Sequence, residues 1–374
     1  MSGRKHVCLT FVGDITRDSR ALRFARALAE RYSVSVYALG GENRSFSMES
    51  ITVNQYRRCA PDSLRRSLWS FWREVRKELL PVNIDMFLAA DLYSLPLAAL
   101  SAHDHGARLI YDSRELYSSI AALQNRKVAQ FYWNRSERKY AARAARITTV
   151  NESIAEALRK KYRTPIVTVY NFPDIRTRKQ SLSIRERLGL DPGKKILLSQ
   201  GGLQEGRGAF LLVESLAELR ECNLVFLGSG KLKYEILRCA AERGVSDRTF
   251  VIDAVASDEL LSVTGSADIG MCLIEGVGES YRNSLPNKLF EYIVAGLPVV
   301  ASDFPEIRKV VRASQTGILV DPSDKSSVLR GIRTMLTDAD LYEKYRLHSL
   351  RTTAYLWENE ETKLLSVVEE VCSP

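Results

Sequence analysis

Nowhere in its 374 residues does this chain approach the roughly 18 to 20 consecutive apolar residues of a membrane span. Its opening, MSGRKHVCLTFVGD, runs from a basic tail straight into a strand pattern without the apolar core of a secretion signal, so a cytoplasmic protein is expected. The six cysteines, at 8, 59, 222, 239, 272 and 372, form no CxxC pair and read as buried or incidental thiols in a reducing compartment. Histidine is scarce, with four in all; His103 and His105 are two apart, which puts them on different helix faces, and no metal is expected. No G-x-S-x-G, phosphate-binding P-loop or Ser-His-Asp spacing is present, nor any low-complexity segment.

What the chain does have is rhythm. Short apolar runs at 6–12, 34–39, 86–89, 108–111, 147–150 and 166–170 alternate with helical stretches, and a second series follows at 196–199, 224–227, 250–252, 267–274, 298–301 and 318–320. Such alternation predicts α/β domains with parallel sheets covered on both faces. The polar segment NFPDIRTRKQSLSIRERLG between the series reads as a linker, so two Rossmann-like domains in tandem are expected.

Charge separates the halves. Residues 1–180 hold 31 Lys and Arg against 17 Asp and Glu, a net +14, whereas residues 181–374 hold 23 against 28, a net −5. The basic half predicts an anionic partner. Within it, 63–80 forms an amphipathic pattern: Leu64, Leu68, Phe71, Trp72, Val75 and Leu79 on one side, with Arg65, Arg66, Arg73, Arg76 and Lys77 largely on the other. Packing against the sheet and contact with an anionic membrane are both consistent with it. A second basic run with aromatics spans 124–146, and no recognised nucleic-acid module contains it.

The densest signal is SLPNKLFEYIVAGLPVV, 284–300, which reads as a helix running into a buried strand. Pro286 suits a first helical position with Ser284 capping ahead of it, so free amides at the helix start suit a diphosphate. Leu289, Ile293 and Val294 mark the inward face; Glu291 projects elsewhere, its two acceptor oxygens suited to adjacent ribose hydroxyls, and Lys288 lies one turn earlier. The Pro-Asn-Lys-Leu-Phe-Glu-Tyr helix resembles the donor-nucleotide motif of GT-B glycosyltransferases similar to family 4, and the likeness extends over most of the chain.

That resemblance implies a GT-B fold, two Rossmann-like domains facing across a cleft: an acceptor-side domain over 1–175, a nucleotide-sugar donor domain over 176–352 and a terminal helix over 353–374 returning to the first. It implies that Glu291 holds ribose, that Asn287 lies at the donor, and that Arg207, in the glycine-rich stretch SQGGLQEGRG with Gly201 and Gly202, clamps the diphosphate. Gly202 stands where the family has a further Arg, so one phosphate contact is either missing or supplied by Lys288 or Lys231. Asn283 stands where many members have a second Glu, with Glu275 or Glu279 as substitutes. DAVASD, 253–258, including Val255, matches the segment that reads the base through backbone groups. Arg114, in IYDSRELYSSIAAL, stands where the family usually has His; it is no general base, but it suits phosphate or developing negative charge. Gly13, Asp14, Arg17 and Arg20 fall in the loop that approaches sugar and acceptor, where Asp18 or Ser19 equally reads as a helix cap. Thr149 and Glu152 have capping-box spacing, and Asn151 is a lesser donor-site candidate. Asp338-Ala339-Asp340 imitates the acidic pair of metal-dependent GT-A enzymes, yet its place between helical stretches reads as a cap.

The expected function is therefore a retaining, metal-independent glycosyltransferase of cell-envelope polysaccharide or glycolipid assembly. It needs no cofactor, takes a nucleoside-diphosphate sugar as co-substrate, and serves a saccharide or lipid-linked acceptor. Peripheral contact with an anionic membrane at its inner face is expected and nucleic acid is not. Two alternatives stay open: a sugar-nucleotide epimerase of the same fold, and a non-catalytic basic module holding anionic lipid or nucleic acid.

Overall fold

The computed structural model describes residues 4–60, 62–117, 127–282 and 284–373. It divides into two compact units, one formed by the chain through residue 171 together with residues 358 onward, the other by residues 172–357.

The first unit holds eight strands: β1 His6–Phe11, β2 Ser33–Leu39, β3 Arg44–Met48, β4 Ile51–Tyr56, β5 Met86–Ala89, β6 Arg108–Ser113, β7 Arg146–Thr149 and β8 Ile166–Thr168. Their order is β3-β4-β2-β1-β5-β6-β7-β8, with β3 antiparallel to β4 and every other pair parallel. The hairpin of β3 and β4 has no counterpart in the sequence reading. Its edge strand is mostly exposed, so it lacks an apolar run, but β4 buries Ile51, Val53 and Gln55 in the period of two that marks a half-buried strand. Glu49 makes the turn with φ of 56°.

On one face of this sheet the helices Leu64–Leu79, Leu95–His105 and Lys127–Ala141 pack in sequence, the middle one touching both neighbours. Leu68, Phe71, Val75 and Leu79 of the first enter the core beside Leu95, Ala98 and Ala102. The apolar side of the 63–80 pattern is therefore a core element, and Trp69 with the basic residues is what that helix shows to solvent. The closing helix Trp357–Cys372 is tied to the first sheet by Arg146–Glu370 at 3.1 Å and by the backbone amide of Tyr170 donating to Glu360 at 2.9 Å.

The second unit is an all-parallel sheet of β9 Lys195–Gln200, β10 Cys222–Leu227, β11 Thr249–Ile252, β12 Ile269–Cys272, β13 Val299–Ser302 and β14 Gly317–Val320, in the order β11-β10-β9-β12-β13-β14. Alternate residues of one strand enter different cores. Leu197, Leu224, Phe226 and Met271 pack on one side; Ile196, Leu198, Val225 and Cys272 pack on the other. Burial on both faces explains why these strands read as continuous apolar runs. The order reverses between β9 and β12, and the loops after those two strands meet at the switch point where open α/β sheets bind ligands.

Candidate active site

Both loops at the β9–β12 switch point are rigid for reasons their glycines supply. The 201–203 stretch is stitched to the loop after β10: Gly201 N donates to Leu227 O at 2.9 Å and Leu203 N to Ser229 O at 3.0 Å. The contact is so close that a Cβ on Gly228 would sit 2.0 Å from the Gly201 oxygen. Further on, Gly208 has φ of +70° and donates its amide to a Glu275 carboxylate oxygen at 3.0 Å, while Glu275 N donates to Gly206 O at 2.9 Å. Glu275 thus ties down the loop that carries Arg207, a different task from contacting a sugar.

Arg207, between these anchors, has a buried Nε without a hydrogen-bond partner, and no ion-pair partner among the described residues. Lys288 is the second residue of helix Asn287–Val294 and is only 5% exposed. It too has no hydrogen bond or ion pair among the described residues. Burial pulls its pKa down from 10.5 to about 8, and the charge of Arg207 pushes the same way, against the opposing influence of Cys272 and Glu291. Cys272 itself is buried, its thiol raised to about 11. Buried Lys288 and half-buried Arg207 thus sit near one another with no carboxylate bonded to either among the described residues.

One turn along, half-buried Glu291 accepts a hydrogen bond from Gln200 Nε2 at 2.5 Å. Gln200, buried at the end of β9, is oriented in turn by Thr264 Oγ1, which donates to its Oε1 at 2.8 Å, and its backbone amide donates to Tyr292 Oη at 2.8 Å. Sequence reasoning missed this Gln200–Thr264 support; its one trace is an amide side chain where the apolar run of β9 meets the glycines. The helix start also differs from expectation. Pro286 is the N-cap in extended conformation with no side-chain cap, and Ser284 Oγ donates to Tyr281 O at 2.7 Å instead. The amides at Asn287 and Lys288 accordingly have no capping side chain. Asn287 is exposed and Val255 half-buried. Asn283 lies outside the described residues, as does the side chain of Glu279.

In the first domain, the Gly13–Arg20 loop follows β1. A Cβ on Gly13 would press on the Phe11 ring at 2.6 Å. Asp14 caps a short turn, accepting from Thr16 N at 3.0 Å and Thr16 Oγ1 at 2.7 Å; slight burial would raise its pKa, but these bonds and Arg17 bring it below the ordinary value. Arg17 has a side chain 87% exposed. Arg20 does not line an accessible surface: it is buried, binds both oxygens of Asp112 at 2.8 and 2.7 Å and donates to Val169 O at 2.7 Å. Its position on the inward face of helix Ser19–Ala29 is the reason, since that face is the sheet-packing one. Arg114 bridges Asp18 at 2.7 Å and Asp112 at 3.2 Å beneath the Phe11 ring, leaving Nη2 buried without a partner. Burial would raise the Asp112 pKa, but Arg20 and Arg114 outweigh it and hold the carboxyl below its ordinary value.

The remaining assignments resolve simply. Asn151, not Thr149, caps helix Glu152–Lys161, accepting from Ile154 N at 2.8 Å. Asp338 caps Ala339–Arg351. Among the described residues no group of three or more His, Cys, Asp or Glu is placed to hold a metal ion, and no helix is long and apolar enough to cross a membrane.

Two family descriptions divide the chain between them. "Glycosyltransferase Family 4" matches residues 19–176 and "Glycosyl transferases group 1" matches residues 180–348. An α-D-kanosaminyltransferase of Streptomyces kanamyceticus is 24% identical over 221 residues, 56% of this chain and 55% of that protein. The chain spans about half the length of the curated relatives it matches. Sucrose-phosphate synthase from Thermosynechococcus elongatus has a TM-score of 0.79 at 15% identity, over 98% of this chain and 99% of that one. Anabaena HepE in complex with UDP and glucose reaches 0.76 at 15% identity, covering 98% and 100%. Two parallel α/β domains with these neighbours define a GT-B fold, and the chain belongs to the group 1, family 4-like glycosyltransferases.

Proposed function

We propose that this protein moves a sugar from a nucleoside-diphosphate donor to a hydroxyl of a saccharide or lipid-linked acceptor, in glycan or glycolipid assembly. One observation carries the reading: half-buried Arg207 and buried Lys288 sit near one another with no counter-ion among the described residues. Confining two cations this way is costly unless an anion arrives. A diphosphate supplies the missing charge. Arg207 offers a planar fork for two oxygens and Lys288 a point charge, and both gain strength as negative charge builds on the departing group. Glu291, oriented by Gln200, takes the ribose hydroxyls; Gly201 and Gly202 let the donor approach backbone, and the 253–258 segment with Val255 reads the base.

With two protein cations to neutralise the leaving group, the reaction runs without a metal. Configuration is retained: the acceptor oxygen bonds the anomeric carbon on the face the diphosphate leaves, and its proton passes to a donor phosphate oxygen. In the first domain Gly13, Asp14 and Arg17 are the acceptor-side candidates, and Arg114 contributes through its unpaired Nη2; in the second domain the sugar-side candidates are Glu279 and Asn283. Peripheral membrane contact belongs to helix Lys127–Ala141, whose exposed Val128, Phe131 and Tyr132 stand among Lys127, Arg135, Arg138 and Lys139.

A thermal-shift panel of UDP, GDP, ADP and their sugars tests the reading. One nucleotide at 100 times its dissociation constant should stabilise the protein by about 2.7 kcal/mol. UDP comes first because HepE was solved with it. Activity abolished by EDTA and restored by magnesium or manganese would overturn the metal-free step.

A further inference from the structure

The first domain has a concavity that the donor reading does not use. Where β2 and β4 end side by side, the chain turns away and helix Leu64–Leu79 passes below, leaving a cavity of about 370 Å³. That volume suits one sugar-sized group, at the low end of ligand pockets. It opens at the carboxyl ends of parallel strands, the side from which the Gly13–Asp14 loop leaves β1. A close backbone approach joins the two features, since a Cβ on Gly40 would meet the Gly13 carbonyl carbon at 2.5 Å; in the cavity wall itself Asn43 Oδ1 accepts from Arg57 N at 2.5 Å.

The lining is chemically divided. Arg57 and Arg58 are exposed, and neither guanidinium has a hydrogen-bond or ion-pair partner among the described residues. Elsewhere on this domain surface, arginines such as Arg26 and Arg76 are held by carboxylates. Asn43, Ser70 and Glu74 also line the cavity and carry amide, hydroxyl and carboxylate groups of the kind that bind sugar hydroxyls. The floor is aromatic, Tyr56 packed edge-on against Phe71 at 5.3 Å.

We propose that this cavity is a subsite for a phosphorylated saccharide: Arg57 and Arg58 take the phosphate, Asn43, Ser70 and Glu74 the hydroxyls, and the aromatic floor the ring face. The inference rests on the transferase reading and deepens it by naming the acceptor as anionic. The phosphate belongs either to a soluble sugar phosphate or to a lipid-linked sugar diphosphate.

Cys59 lines the cavity and is exposed, which makes it a reporter. Maleimide labelling of Cys59, read by peptide mass spectrometry, should slow at least fivefold with glucose 6-phosphate or a short-chain prenyl diphosphate sugar. Glucose alone should leave it unchanged. Stronger protection by the prenyl compound identifies the lipid-linked source; stronger protection by glucose 6-phosphate identifies the soluble one. The Arg57→Ala/Arg58→Ala variant should lose the protection, while stabilisation by UDP persists. No protection by either compound, equal protection in the double variant, or equal protection by inorganic phosphate, which would mark an adventitious ion only, overturns the proposal. UDP stabilisation is scored separately, so loss of this subsite and loss of the donor reading give different results.

Discussion

The two domains carry the same device to opposite ends. In each, a glycine-led loop leaves the first strand of a parallel sheet and an arginine comes close behind. In the first domain, Arg20 and Arg114 meet Asp112 and Asp18, and of the two guanidinium groups only Arg114 Nη2 is buried without a partner. In the second, Arg207 and Lys288 meet no carboxylate among the described residues, and Glu291 is turned to Gln200. Equal charges in equivalent settings therefore do different work. Held by carboxylates, the first pair fastens a loop to a sheet, with only Arg114 Nη2 left over; the second pair is the one proposed to meet an anion.

Breaking each cluster should separate the two. Arg20→Ala leaves Asp112 charged and buried with half its partners gone, which typically costs about 3 to 5 kcal/mol. Denaturant melts should show that loss, with nucleotide affinity per folded molecule little changed. A loss below 1 kcal/mol would mean the first cluster is no more structural than the second.

The second cluster should respond with the opposite sign. The drop of the Lys288 pKa from 10.5 to about 8 corresponds to about 3 kcal/mol of destabilisation by a charge that has lost its water. Lys288→Met should thus stabilise the nucleotide-free protein at pH 7 while weakening donor binding. For the wild type, the folded state binds fewer protons than the unfolded between pH 8 and 10.5, so this residue makes stability rise with pH across that window. Lys288→Met should remove that rise. A diphosphate favours the protonated amine, so UDP binding at pH 8.5 should take up protons, seen as buffer-dependent heats in calorimetry. Destabilisation by Lys288→Met at pH 7 would show that the amine has a partner in solution.

If Glu291 holds the ribose, Glu291→Ala should weaken the stabilising nucleotide by about 1.5 to 3 kcal/mol and leave the fold intact, because the carboxylate is half-buried and lies outside the apolar core. Gln200→Leu should show a smaller loss in the same direction, since it acts only by orienting the carboxylate. Unchanged affinity in Glu291→Ala for every nucleotide that stabilises the wild type sinks the ribose assignment.

How much of this was legible in the sequence follows from the range of the interactions. Twelve of the strands announce themselves as short runs dominated by apolar and β-branched residues, most of them buried in the sheet. The β3–β4 hairpin escaped because its edge is solvated and its signal is only alternation. Lys288 and Glu291 were readable together because one short helix carries both, and Gly201 and Arg207 because one glycine-rich loop does; only the family resemblance joined the two segments. Whether a cation is spent was not readable. Arg20 and Asp112 are 92 residues apart, as Gln200 and Glu291 are 91 apart, and only the folded sheet reveals that the first pair closes a network while the second aims a carboxylate.

Surface charge extends the comparison beyond the clusters. The +14 of residues 1–180 against the −5 of the remainder predicts that the first half adheres to anionic vesicles. The helix over 63–80 was the expected agent, but its apolar side is spent on the core. Helix Lys127–Ala141 buries only Glu137 and Ala141, and leaves Val128 85%, Phe131 70% and Tyr132 53% exposed, three and four residues apart on one face. Cations on both helices would draw the domain to the lipid, each contributing about 1 kcal/mol at low salt, and the rings would enter the headgroup layer. Phe131→Ser/Tyr132→Ser should thus lower partitioning onto phosphatidylglycerol vesicles by about tenfold, or 1.4 kcal/mol. Arg65→Glu/Arg66→Glu/Arg73→Glu should act by removing the salt-sensitive part of binding. Sedimentation with phosphatidylglycerol and phosphatidylcholine vesicles at two salt concentrations separates the contributions. If both variants partition as the wild type does, or lipid charge makes no difference, the basic half serves a soluble anion and the acceptor need not reside in a membrane.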